Sequence, residues 1–153
     1  MGAESEGLRP TSVMIVDDQR YARLGLALMI RKAPDLRVVA EAGDGQEALE
    51  VLERLNRSTG LPDVVLMDVR MPKLDGVAAL KKIRARPNPP KIVMLTTFNV
   101  PDTVKAALTA GANGFLLKDA DPETLIDSVR TVAAGQTVLA ADVVGHILPG
   151  ALT

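Results

Sequence analysis

Three aspartates in this 153-residue chain stand where short apolar runs end: Asp17 and Asp18 after Val13-Met14-Ile15-Val16, and Asp68 after Val64-Val65-Leu66-Met67. Two other runs end in groups of complementary chemistry, Ile92-Val93-Met94-Leu95 in Thr96-Thr97 and Phe115-Leu116-Leu117 in Lys118-Asp119. Carboxylates gathered in one place repel and desolvate one another unless a cation sits among them. The chain has no cysteine and one histidine, His146, so thiolate and multi-histidine sites are excluded and the cation must be a hard one held by oxygen, such as Mg²⁺, Ca²⁺ or Mn²⁺. Carboxylates around such an ion, with a hydroxyl donor and an ammonium nearby, are equipment for handling a phosphoryl group. A carboxylate can also be the nucleophile, giving an aspartyl phosphate. Neither a G-x-x-x-x-G-K-[ST] sequence nor a strand followed by G-x-G-x-x-G offers a nucleotide cradle.

Each residue alone has a blander reading. An aspartate after a strand is most often a turn residue or a helix N-cap. Asp44, Asp63, Asp75, Asp102 and Asp121 keep that reading, because each sits beside Gly, Pro or a helix start. Thr96 alone would be a strand-end cap and Lys118 alone a solvated charge. Asp17, Asp18 and Asp68 matter as a group.

What must bring them together is the alternation of apolar runs with segments of helical period. A fifth run, Val38-Val39-Ala40, completes the strand candidates. Leu24, Leu28 and Ile30 mark one helix face, Ala48, Leu49, Leu52 and Leu55 a second, Val77, Leu80 and Ile83 a third, and Val104, Ala107 and Leu108 a weaker fourth. The fifth helix has an N-cap and first-turn proline in Asp121-Pro122-Glu123, then Leu125, Ile126, Val129 and Val132, and Gly135 past its end. Apolar runs separated by helices describe a parallel sheet covered on both faces, a doubly wound α/β domain. In such a sheet ligands bind outside the carboxyl ends of the strands, which puts all the groups above on one edge. The expected organisation is a disordered leader over 1–11, one domain over 12–135, and a C-terminal tail or short helix over 136–153.

Composition narrows the functional classes. Eighteen Lys plus Arg against nineteen Asp plus Glu give a net charge of −1, without the basic surplus of a module that neutralises duplex phosphates. Tyr21, Phe98 and Phe115 are too few for a base-stacking platform. No apolar run approaches the roughly 18–20 residues that span a bilayer, and the expected location is the cytoplasm.

Four segments carry a resemblance: Val16-Asp17-Asp18, Val65 to Gly76 (VLMDVRMPKLDG), Leu95-Thr96-Thr97-Phe98 and Ala110 to Ala120 (AGANGFLLKDA). Together, in this order, they resemble the receiver domain of a two-component response regulator, over about Ser12 to Gly135. Glu41 to Glu47 (EAGDGQE), Leu95 to Phe98, and Asp119 where other receivers often have proline are most similar to the NarL/FixJ branch, which usually joins the receiver to a LuxR-type helix-turn-helix domain. The resemblance implies a flavodoxin-like five-stranded sheet of order 2-1-3-4-5. It implies Asp68 as phosphoacceptor, Mg²⁺ held by Asp18, by Asp17 largely through water, by Asp68 and by the backbone carbonyl of Arg70, Lys118 as the phosphate-pairing amine, and Thr96 and Phe115 as the switch pair. It also implies a sensor histidine kinase as phosphodonor, a homodimer on phosphorylation, and DNA contact only through an output domain that this sequence does not contain. On this reading the chain is an excised or stand-alone receiver and a phosphoacceptor, catalysing only its own Mg²⁺-dependent phosphorylation and dephosphorylation. The competing readings are a receiver-like interaction module that works without phosphate, and a dehalogenase-type phosphohydrolase, whose D-x-D-x-[TV] differs from Asp17-Asp18-Gln19-Arg20.

Overall fold

Each apolar run forms a strand, and the segments of helical period between them form helices. The computed structural model describes residues 9–71, 73–97 and 101–139, without the side chains of 101 and 102. Pro72, Phe98, His146 and the Asp102 side chain, named above, lie outside that description. The strands are β1 (Thr11–Val16), β2 (Leu36–Ala42), β3 (Val64–Asp68), β4 (Lys91–Thr96), β5 (Gly114–Leu117) and β6 (Val138–Leu139). The helices are α1 (Arg20–Arg31), α2 (Gly45–Asn56), α3 (Gly76–Arg84), α4 (Pro101–Thr109) and α5 (Pro122–Ala133). All strand pairs are parallel, in the order β2-β1-β3-β4-β5-β6.

Successive residues of the central strands point to opposite layers, and both layers are dry. Met14, Val16, Val65, Met67, Ile92, Met94 and Phe115 pack against α2, α3 and α4. Val13, Ile15, Leu66, Val93, Leu95 and Leu116 pack against α1 and α5. Burial on both sides is why these runs are apolar throughout. At roughly 1.5–3 kcal/mol per fully buried large side chain, this double layer fixes the sheet on which the site stands. The helices start as their sequences dictate: Asp44, Asp75 and Asp121 accept hydrogen bonds from the amides of Glu47, Ala78 and Thr124. Asp63 does more than turn the chain. Its carboxylate takes the Ser12 amide at 2.9 Å and the Arg9 guanidinium at 3.1 Å, tying the start of β1 to the start of β3.

Four expectations need correction. On α1, Leu24 and Leu28 are 50% and 55% exposed, and the buried face is Leu26, Ala27 and Ile30. Residues two apart on a helix do not share a face, so Leu28 and Ile30 cannot both look inward. The apolar residues of α1 form two stripes, and the outer one, with Tyr21, faces solvent. β2 is not buried on both sides: as the sheet edge it alternates, with Arg37, Val39 and Glu41 exposed. β1 begins at Thr11, inside the stretch read as a leader. Val138–Leu139 is not helical but adds β6 beside β5, so the sheet runs past Gly135; residues 140–153 lie outside the described part. Among the described residues, no helix is long and apolar enough to cross a membrane.

Candidate functional site

Parallel register aligns the strand ends. Val16 pairs with Met67 and Asp68 with Leu95, so the residues following β1 and ending β3 and β4 arrive at one edge. Asp17, Asp18 and Asp68 meet there, each with a carboxylate oxygen within 4.8 Å of the others'. Asp17 is fully buried and Asp68 6% exposed, while Asp18 faces solvent. Lys118, just past β5, reaches across: its Nζ lies 2.7 Å from Asp17 Oδ2 and 3.1 Å from Asp68 Oδ2. Thr96 is buried at the end of β4, and its carbonyl accepts the Lys118 amide at 2.6 Å. Thr97 and Asp119, grouped with them in the sequence, are exposed instead. They line a groove of about 410 Å³ with Gln19, Lys118 and Ala22, Gly25, Leu26 and Met29 of α1.

The site is electrostatically unbalanced. Burial pushes the Asp68 carboxyl above its ordinary range and neighbouring Asp17 adds to this, against the opposing pull of Lys118. Burial alone would lower the Lys118 ammonium, but its contacts with Asp17 and Asp68 outweigh that and raise it. One ammonium among three carboxylates leaves two negative charges. Asp17 Oδ2 is buried and ion-paired at 2.7 Å with Lys118 Nζ, a partner it shares with Asp68. Hard oxygen donors within 4.8 Å of one another, an excess of negative charge and a single ammonium shared by two buried carboxylates fit a small divalent cation such as Mg²⁺.

Some residues that shape the site read in the sequence only as punctuation or surface charge. Gly76 opens α3 where its amide bonds the Val69 carbonyl at 2.9 Å, and a Cβ there would overlap the Asp68 carbonyl oxygen. Gly45 likewise lets the Leu74 carbonyl approach the start of α2. These contacts fold the β3–α3 loop, with the Arg70 backbone, against the pocket, and the Arg70 amide lies 3.4 Å from Asp68 Oδ1. Asp44-Gly45 and Asp75-Gly76 mark turns, but nothing in them announces that another backbone presses on the glycine. Arg23 and Glu41 carry no sequence signal that separates them from surface charges.

The site is therefore a doubly wound domain's carboxyl edge that carries a buried, ammonium-paired aspartate inside an acidic cluster. The chain matches the family described as "Response regulator receiver domain" over residues 13–130, and it belongs to that family. It is similar to the "Nitrate/nitrite response regulator protein NarL" of Escherichia coli (strain K12), 37% identical over 85% of this chain and 58% of that protein. The "Transcriptional regulatory protein LiaR" of Bacillus subtilis (strain 168) is 36% identical over 89% of this chain and 62% of its own length. The chain thus spans about three fifths of these relatives. Among solved structures, the signal receiver domain of the putative response regulator NarL from Mycobacterium tuberculosis aligns with a TM-score of 0.77 at 32% identity, covering 84% of this chain and 99% of that one. A LuxR-family two-component response regulator from Aurantimonas sp. SI85-9A1 gives 0.83 at 29% identity, covering 94% and 99%. The fold and the branch expected from the sequence both hold: this is a receiver of the NarL/LuxR type.

Proposed function

We propose that the chain is a phosphorylation-activated switch in which Asp68 accepts a phosphoryl group from a sensor histidine kinase. The observation that carries this reading is a carboxylate buried at the end of a central strand, 3.1 Å from Lys118 Nζ, with two more carboxylates beside it. An Asp68 oxygen attacks the phosphorus of the phosphohistidine; the new P–O bond makes an acyl phosphate, and the broken P–N bond leaves its electron pair on the imidazole. Lys118 neutralises one phosphoryl oxygen and the Thr96 hydroxyl donates to another. Asp18, Asp17 largely through water, Asp68 and the Arg70 carbonyl would hold Mg²⁺, which supplies charge neutralisation at the phosphoryl oxygens when bound.

Thr96, drawn toward the phosphate, vacates space into which the wholly buried Phe115 turns, and the surface formed by α4, β5 and α5 changes shape. The activated chain forms a homodimer through its helix surfaces, a reading supported by the exposed apolar stripe Tyr21, Leu24 and Leu28 on α1. In a longer protein of the kind the relatives represent, the dimer would present a DNA-binding region and control transcription in the cytoplasm, with DNA contacted through that region alone.

Treatment with acetyl phosphate, followed by intact-mass measurement, tests the chemistry. With millimolar Mg²⁺ the chain is expected to gain one hydroxylamine-labile phosphoryl group, and with EDTA none. No adduct under either condition would point to an interaction module that works without phosphate.

A further inference from the structure

The loop that carries Asp17 and Asp18 is held from outside the acidic cluster. The Asp17 amide bonds the Ala42 carbonyl at 3.1 Å, and the Gln19 amide bonds Asp17 Oδ1 at 2.9 Å. The Asp17 carbonyl is taken by Arg23 of α1, whose Nη1 donates to it at 2.7 Å. That carbonyl and the Asp18 amide belong to one planar peptide, so holding the oxygen restrains the rotations on either side of it, ψ of Asp17 and φ of Asp18, on which the directions of both side chains depend. Arg23 is itself tethered, its Nε 3.5 Å from Glu41 Oε1 on the edge strand β2. The Nε is buried and makes no hydrogen bond, so Glu41 holds it as an opposite charge at 3.5 Å, and the short bond of the guanidinium is the one to the Asp17 carbonyl.

We propose that Arg23, anchored by Glu41, is a positioning residue for the divalent-cation site: it clamps the Asp17–Asp18 peptide so that both carboxylates point toward Asp68. The inference rests on the reading of Asp17, Asp18 and Asp68 as that site. Side chains one shell away from a metal orient its ligands, and their loss typically weakens metal affinity about 10- to 100-fold.

The sign of the effect separates this role from simpler ones. If Arg23 acted only as a nearby positive charge, its removal would tighten the binding of a divalent cation. If it only buttressed α1, its removal would lower thermal stability and leave affinity unchanged. A positioning role requires weaker binding.

Mg²⁺ titrations of the 153-residue chain, followed by backbone amide NMR shifts, decide among them. Arg23→Gln is expected to raise the Mg²⁺ dissociation constant about tenfold. Arg23→Lys keeps the charge but cannot reach the Asp17 carbonyl and Glu41 with one planar fork, and is expected to give a smaller rise in the same direction. Unchanged or tighter binding by Arg23→Gln overturns the proposal, and if that variant does not fold, unchanged binding by Arg23→Lys does so. Absence of Mg²⁺ binding by the unsubstituted chain would instead remove the site reading, and the inference with it.

Discussion

Asp68→Asn is expected to abolish phosphorylation by acetyl phosphate while making the metal-free chain more stable. Asparagine has the shape of aspartate, but its amide oxygen is not an anionic nucleophile, so the acyl phosphate cannot form. The stability gain follows from the raised carboxyl of Asp68. A carboxyl raised in the folded state contributes stability that is present below the ordinary carboxylate range and lost as pH rises through the raised value. At neutral pH the ionised Asp68 therefore opposes folding, and a neutral amide removes that opposition. Urea denaturation in EDTA, beside intact-mass measurement of phosphoryl incorporation, reads both effects. A variant that incorporates phosphate at the unsubstituted rate contradicts the assignment, and one that is less stable without metal contradicts the electrostatic account.

Lys118→Gln is expected to have the opposite effect on stability. Lys118 is the cation facing Asp17 and Asp68, which are 0% and 9% exposed at the side chain. Breaking a buried pair by removing one partner typically costs roughly 3–5 kcal/mol, and a pocket that opens to solvent at the sheet edge lowers this to about 2–3 kcal/mol. The deficit should depend on pH with a definite sign. Without the ammonium the Asp68 carboxyl rises further, because Lys118 is what now holds it down. The variant then recovers stability as Asp68 takes up a proton, so in EDTA the deficit is larger near pH 7.5 than near pH 5. Mg²⁺ should restore part of it at the higher pH, as a replacement cation. Equal deficits at both pH values, with no response to Mg²⁺, would show that Lys118 does not balance these carboxylates.

Both expectations depend on a convergence that was legible in the sequence. Runs such as Val64 to Met67 are buried on two faces and admit no polar residue, so the first polar residue after each marks the strand's end, and parallel strands put those ends on one edge. Asp17, Asp68, Thr96 and Lys118 follow directly from that rule, whereas Thr97 and Asp119, one residue further on, turn to solvent. Other features depend on contacts between distant segments, which local pattern does not encode. Leu24 and Leu28 have the spacing of a buried face, but α1 carries two apolar stripes and the sheet takes the one through Leu26 and Ile30. Val138 and Leu139 are too short a run to announce a strand, and pairing with Gly114 and Phe115 makes them one. The Arg23 bond to the Asp17 carbonyl and the packing of Gly76 against Asp68 join backbone to residues whose types fit many surface positions.

The most direct test of the central claim is to locate the phosphoryl group. After acetyl phosphate treatment in Mg²⁺, borohydride converts an aspartyl phosphate to homoserine, and tandem mass spectrometry of the digested chain reads the position. The account predicts homoserine at position 68 alone, absent when EDTA replaces Mg²⁺. Homoserine at 17 or 18, or equal conversion with and without the metal, would contradict it.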